Sequence, residues 1–113
     1  MAASSEFIDY LRDQLTPLGV FRSRRMFGGW GLYLDELFVA IVINEVLYLK
    51  ADALNQDFYQ AAGSCVFSYA KKDGSSASLN FYEVPADILE DRDLLQTWVK
   101  QGKAASLRAL AKK

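Results

Sequence analysis

Seven consecutive apolar residues, Leu37 to Ile43, limit what this chain can fold into more than any other feature. The segment is far shorter than the ~20 apolar residues of a membrane-spanning helix. Its β-branched and aromatic residues favour a strand. An antiparallel strand with one wet face alternates apolar and polar residues. An uninterrupted apolar strand therefore predicts a sheet whose centre is covered on both faces.

The segments around this strand predict a three-stranded meander. Aromatic and β-branched residues run from Met26 to Lys50, and polar steps at Asp35-Glu36 and Asn44-Glu45 divide them. Both steps carry glutamate where a type I′ turn favours glycine. We therefore expect type I turns, or slightly longer loops with a bulge.

Helical patterns lie before and after this meander. Apolar residues at four-residue steps indicate a first helix, and they are Phe7, Leu11 and Leu15. A second helix is predicted from Asp52 to Ala62. It ends there because Gly63 favours the left-handed backbone of a helix C-terminus.

The rest of the chain predicts a hairpin and a last helix. Extended patterns run from Cys65 to Tyr69 and from Ser78 to Val84. The last helix contains Gly102, which weakens a helix by roughly 1 kcal/mol relative to alanine, so residues 103–113 are predicted to kink or fray. The predicted order is helix, three strands, helix, two strands, helix. This is an α+β fold with two layers and one antiparallel sheet.

Length and composition predict a single domain over residues 1–113. The length is near the commonest domain size, and 51% hydrophobic residues can build a core without disulfides or metal. Three helices pack most naturally on one face of so small a sheet, which leaves the other face for a second copy. The candidate dimer face is Val39, Ile41 and Ile43.

Composition also limits the chemistry. The chain has no histidine, which removes the usual general base and the commonest metal ligand. Cys65 is the single cysteine, and its apolar neighbours predict a buried, inert thiol. A lone cysteine and the lack of a signal-like leader favour the cytoplasm. We expect no enzymatic activity, no cofactor and no membrane association.

One basic cluster is a candidate anion site, formed by Arg22, Arg24 and Arg25 beside Gly28 and Gly29. Arginines offer fixed donor forks, and glycines let backbone amides approach an anion. The segment lacks the lysine and hydroxyl residue of a phosphate-binding loop and enters a strand instead of a helix. Solvated arginines beside a glycine-rich bulge are the alternative interpretation.

Six aromatic residues could form a stacking platform for single-stranded nucleic acid: Trp30, Tyr33, Tyr48, Phe81, Tyr82 and Trp98. Such platforms combine aromatic rings with a basic groove. The 13 lysines and arginines are balanced by 14 acidic residues, and the net charge is −1. Core or interface positions are therefore the favoured interpretation for most of them.

Three ordered motifs relate the chain to a known family. They run from Arg25 to Asp35, from Leu47 to Asp52, and from Tyr82 to Pro85 with Leu89-Glu90-Asp91 following. Together they resemble the N-terminal domain of the TfoX/Sxy family of bacterial competence regulators, over nearly the whole chain. The resemblance implies the α+β element order given above, and it transfers no catalytic residue.

The resemblance also implies a function. Full-length members resemble co-regulators that act with the cyclic-AMP receptor protein at promoters of DNA-uptake genes, and they add a helical C-terminal domain. This stand-alone domain is thus expected to be a non-enzymatic bacterial regulatory module that works through a protein partner, with a homodimer as one form. The alternative is a domain that binds a phosphate-bearing ligand or nucleic acid through Arg22, Arg24 and Arg25.

Overall fold

A single antiparallel sheet organises the molecule. The structure is a computed structural model and describes residues 5–26 and 28–111. Six strands lie in the order β1-β2-β3-β4-β6-β5. In chain order the elements are α1 (Ser5–Leu15), a 3-10 turn (Thr16–Leu18), β1 (Phe21–Met26), β2 (Gly29–Leu34), β3 (Leu37–Ile43), β4 (Val46–Lys50), α2 (Gln56–Ala61), β5 (Val66–Ala70), β6 (Ser76–Glu83), α3 (Ala86–Leu89) and α4 (Arg92–Ala111).

The α+β class and the antiparallel sheet are confirmed, and the element order differs from the predicted one by the extra strand β1 and by the short helix α3 before α4. Four strands precede α2, because the basic segment from Phe21 to Met26 forms β1. The three arginines of this segment interrupt the apolar and polar alternation that predicts a strand. They are tolerated because β1 lies at the edge of the sheet, where charged side chains reach water and discourage pairing with another chain.

The expected turn type is wrong at both tight hairpins. Residues Asp35 and Glu36 have φ values of 52° and 69°, and Asn44 and Glu45 have 52° and 64°. Positive φ at both central residues is the mark of a type I′ turn. The two-residue loops impose it, because only the mirror-image turn matches the right-handed twist of the strands that flank it.

The helices and the core lie on one side of the sheet. Leu11 and Leu15 of α1 and Leu95 and Val99 of α4 belong to one buried cluster with the inward residues of the strands. Tyr59 of α2 joins this cluster, and the short helix α3 packs against it. None of the described helices is long and apolar enough to cross a membrane.

Helix α4 continues to Ala111, so the fraying predicted as one alternative for residues 103–113 does not occur over residues 103–111; residues 112 and 113 lie outside the described part. Gly102 lies where the helix passes close to β3. A Cβ atom there would lie 3.0 Å from the carbonyl oxygen of Val39. Beyond it, Lys103 donates to the Leu18 carbonyl and Ser106 to the Phe38 carbonyl, and these bonds hold the last turns in place.

A β-bulge interrupts β3. Leu32 pairs with Ala40 and Tyr33 with Phe38, which leaves Val39 as an extra residue. Val39 and Ala40 are both fully buried and both belong to the core cluster. The bulge therefore turns two consecutive side chains toward the helices and reverses the phase of the strand before it.

The positive φ at Glu36 yields a stability prediction. Glu36→Gly and Glu36→Ala both remove the exposed ion pair with Arg22, but only alanine carries a Cβ into the left-handed region. We expect the glycine variant to be more stable by about 0.5–1 kcal/mol in urea unfolding. Glu90 has a φ of −85°, so the same two substitutions there should give the reverse order. Equal stability of the two Glu36 variants would contradict a type I′ turn.

Candidate functional site

The side of the sheet opposite the helices carries the candidate site. Residues paired across antiparallel strands point to the same side, and successive residues of a strand to opposite sides. Leu32, Ala40 and Leu49 are paired and point into the core, so the next residues along each strand point away from it. We call this side the helix-free face; its described side chains include Arg22, Arg24, Met26, Tyr33, Phe38, Ile41, Ile43, Val46, Tyr48, Lys50, Phe67, Phe81 and Glu83.

Aromatic rings cover one end of the helix-free face. The ring centroid of Phe38 lies 5.2 Å from that of Tyr33 and 5.6 Å from that of Phe81. The Lys50 ammonium lies 6.0 Å from the Phe38 centroid. Nearby, the rings of Tyr48 and Phe67 meet edge to face at 4.8 Å. All of these rings are half-buried, because they shelter one another while one side stays open to solvent.

The aromatic residues of the candidate stacking platform are thus divided between the two sides of the sheet. Tyr33, Tyr48 and Phe81 lie on the helix-free face, whereas Tyr82 and Trp98 are buried in the core. Phe38 and Phe67 also lie on this face, although the sequence pattern did not single them out. Simple alternation places Phe38 in phase with Ala40 and so in the core, and only the bulge at Val39 moves it to the other side.

The candidate dimer residues do not share a face. Val39 is fully buried in the core cluster, because the bulge turns it toward α4. Ile41 does lie on the helix-free face, but its neighbours already cover all but 2% of its surface. Ile43 is half-buried at the far end of the strand. Burial of the apolar strand therefore does not by itself require a second copy.

A single row of residues crosses the helix-free face from edge to edge. Arg24 pairs with Gly31, Gly31 with Ile41, Ile41 with Tyr48 and Tyr48 with Glu83. We call these five residues the central row. The row is positive at one end, negative at the other and apolar in the middle. Neither terminal side chain has a hydrogen bond or ion pair with another residue in the described part of the chain.

The three arginines of the candidate anion site are not brought together. Arg22 points to the helix-free face and forms an ion pair with Glu36 at 3.0 Å. Arg25 points to the opposite side, and its guanidinium lies 5.0 Å from the centroid of Trp30. Arg24 shares the face with Arg22. Arg25 is separated from these two arginines because β1 is a strand, in which successive side chains point to opposite sides of the sheet.

The two glycines of that candidate site have backbone roles. Gly28 has a φ of 73°, which favours glycine in the turn between β1 and β2. A Cβ at Gly29 would collide with the carbonyl oxygen of Val42, so no side chain fits there. Phe27, between β1 and this turn, lies outside the described residues.

A second polar cluster joins β4, α2 and α4. The Arg108 guanidinium donates two hydrogen bonds, of 2.7 and 2.8 Å, to the Asp52 carboxylate. Asp52 also accepts from the amides of Leu54 and Asn55, and this turn delays the start of α2 until Gln56. A cavity of about 270 Å³ lies beside the cluster, lined in part by Lys50, Phe81 and Arg108.

Electrostatics in this region serve the packing of α4. The hydrogen bonds from Arg108 lower the pKa of the Asp52 carboxyl. The pKa of the Asp35 carboxyl is lowered by a hydrogen bond from the backbone amide of Val20 and by another from the Lys103 side chain. Burial raises the pKa of Tyr59, whose hydroxyl donates to the Lys50 carbonyl at 3.1 Å.

Cys65 is exposed, which corrects the expectation of a buried thiol: it lies in the connection before β5, outside the core.

The fold and the face define a class of protein: an α+β domain whose helices cover one side of an antiparallel sheet and leave an aromatic, charge-tipped surface on the other. Residues 13–106 match the TfoX N-terminal domain. The chain belongs to the TfoX N-terminal domain family, as the three sequence motifs predicted. No curated protein matches the sequence.

The Asp52–Arg108 pair predicts a pH-dependent stability. Because the pKa of Asp52 is lowered in the folded state, the pair stabilises the fold above pH ~4 and loses this effect as the pH falls through the folded pKa. We expect Asp52→Asn to unfold at lower urea concentration than the natural chain at pH 7, with the difference shrinking toward zero in strong acid. Asp57→Asn, an exposed change on α2, is the control. A difference that does not depend on pH would contradict this assignment.

Proposed function

We propose that the chain is a non-catalytic cytoplasmic regulatory domain that acts in bacterial competence by binding protein, with the helix-free face as its contact surface. The single observation that carries this proposal is the face itself. It combines half-buried tyrosine and phenylalanine rings with methionine and arginine, the residue types enriched in protein interfaces. Membership of the TfoX N-terminal domain family supports the link to competence.

The positions of the shifted carboxylates support a non-catalytic role. Catalytic groups with shifted pKa values commonly converge in a cleft. Here Asp35 binds Lys103 of α4 at 3.1 Å and Asp52 binds Arg108 of the same helix, whereas Asp73 accepts hydrogen bonds from Ser75 within its own turn. Both pairs fasten the last turns of the helix to loops of the sheet, so their chemistry is accounted for by the fold.

A reporter for a DNA-uptake promoter in the native bacterium tests this function. In a strain lacking the gene, we expect the natural chain to restore induction and Tyr33→Glu to lower it by about tenfold, which corresponds to about 1.4 kcal/mol of lost binding free energy. Leu94→Glu places the same charge on the exposed side of α4 and should restore induction. Thermal unfolding of both purified variants checks that they fold.

Two results would contradict the proposal. Deletion of the gene could leave the promoter unchanged, which would remove the link to competence. Alternatively, the folded Tyr33→Glu variant could restore induction as well as the natural chain does, which would remove the helix-free face from the function.

A second candidate function is binding of a phosphate-bearing ligand or single-stranded nucleic acid on the same face. The observation in its favour is that Arg24 is exposed and that the Lys50 ammonium lies beside the Phe38 ring. Sites for single strands pair aromatic rings with cations in this way. Because Arg25 points to the opposite side of the sheet and Arg22 is paired with Glu36, such a site would rest on Arg24 and Lys50.

Salt dependence tests this second function. If two phosphates are contacted, the logarithm of the binding constant for a labelled single strand should fall with that of the salt concentration with a slope of about −1.4. Arg24→Ala should weaken binding in fluorescence anisotropy, while Arg25→Ala, on the opposite side of the same strand, should not. Absence of salt-dependent binding, or equal losses in both variants, would rule out this function.

A further inference from the structure

The central row is complementary to itself. It contains one residue from each of five neighbouring strands, and neighbouring strands lie ~4.8 Å apart. Arg24 and Glu83 are each two strands away from Ile41, on opposite sides of it. The two charges are therefore placed at equal distances, about 10 Å, from the centre of the row.

We propose that a second copy of this chain occupies the helix-free face, related by a twofold axis that runs parallel to β3 and passes over Ile41. Such an axis exchanges the two ends of the central row. Arg24 of each copy then faces Glu83 of the other, and Ile41 faces Ile41. The contact is isologous and closed, as expected for a homodimer. The inference rests on the proposed function, since it names the partner that binds this surface.

The apolar middle of the row fits the same symmetry. The axis that pairs Arg24 with Glu83 also places Gly31 of one copy opposite Tyr48 of the other. The space above Gly31 is filled by the Met26 thioether, whose sulfur and methyl group lie 2.8 and 2.5 Å from where a Cβ would be, and by the Phe38 ring at 3.2 Å. The tyrosine thus meets a thioether and a ring, both favourable partners for an aromatic side chain.

Charge favours a second copy over a polyanion on this face. A nucleic acid that follows the row would be attracted by Arg24 and repelled by Glu83. A copy of the chain satisfies both, because each end of the row finds the opposite charge. Two facing sheets pack about 10 Å apart with their strands within about 30° of parallel, which an axis parallel to β3 allows.

Charge reversal tests the proposed pairing in sedimentation experiments at micromolar concentration. We expect the natural chain to be a dimer, and Arg24→Glu and Glu83→Arg each to raise the dimer dissociation constant by more than about tenfold, because both variants place like charges opposite each other twice. An equimolar mixture of the two single variants should recover dimerisation. In that mixed dimer one chain is acidic at both positions and the other basic at both, so each contact is again between opposite charges.

Arg25→Glu is the matched control, since it makes the same change one residue along β1 on the opposite side of the sheet, and it should leave the dissociation constant within about threefold of the natural value. The inference is overturned if the natural chain is monomeric. It is also overturned if reversal at Arg24 or Glu83 does not weaken the dimer, or if mixing the two variants does not restore it. Circular dichroism of each variant separates lost pairing from lost folding.

The reporter experiment keeps the two proposals apart. If the natural chain is a monomer and Tyr33→Glu still lowers induction, the second copy is overturned. The proposed function then remains in place, with another protein on the face. A dimer with the expected reversal pattern, combined with full induction by Tyr33→Glu, would support the second copy and overturn the proposed function. Salt-dependent binding of a single strand by a monomer would overturn the second copy in favour of the alternative function.

Discussion

The bulge at Val39 is the constraint on which the rest of the structure depends. It turns Val39 and Ala40 together toward the helices, at the place where Gly102 lets α4 approach the Val39 carbonyl. The carbonyl of Phe38, next to the bulge, accepts a hydrogen bond from Ser106 of α4. Sheet and helix are therefore held together where the strand is irregular, and a regular strand would present a single core side chain at this point.

The same bulge shapes the opposite surface. It moves the Phe38 ring to the helix-free face, where it links Tyr33 to Phe81. Without it, the two outer rings would have no ring between them. Ion pairs from Lys103 and Arg108 then fix α4 across the other side. The helix layer and the aromatic surface thus share one structural cause, which explains how a small domain can have a packed core on one side of its sheet and an open aromatic surface on the other.

The two sides of the sheet thus differ in this TfoX N-terminal domain. Asp35 and Asp52, whose carboxyl pKa values are lowered, bind cations of α4 and maintain the fold, and under our proposal the helix-free face serves recognition. In the proposed dimer, the central row supplies what an apolar surface alone lacks, because its terminal charges would specify both the partner and its orientation. Opposite charges at equal distances from Ile41 favour a symmetric pair and disfavour a shifted one.

The amino-acid sequence by itself determined the family, the α+β class, the helices and the apolar strand, because these follow from local periodicity and from motifs within short segments. It also located Tyr33, Tyr48 and Phe81 among the candidate contact residues. It did not show β1, whose charges are explained only by an edge position, or the bulge that separates Val39 from Ile41. The separation of Arg25 from Arg24 and the placement of Arg24 and Glu83 at the two ends of one row were decided by the tertiary structure alone. The physical reason is that side-chain direction depends on strand register, which is set by contacts between segments far apart in the chain.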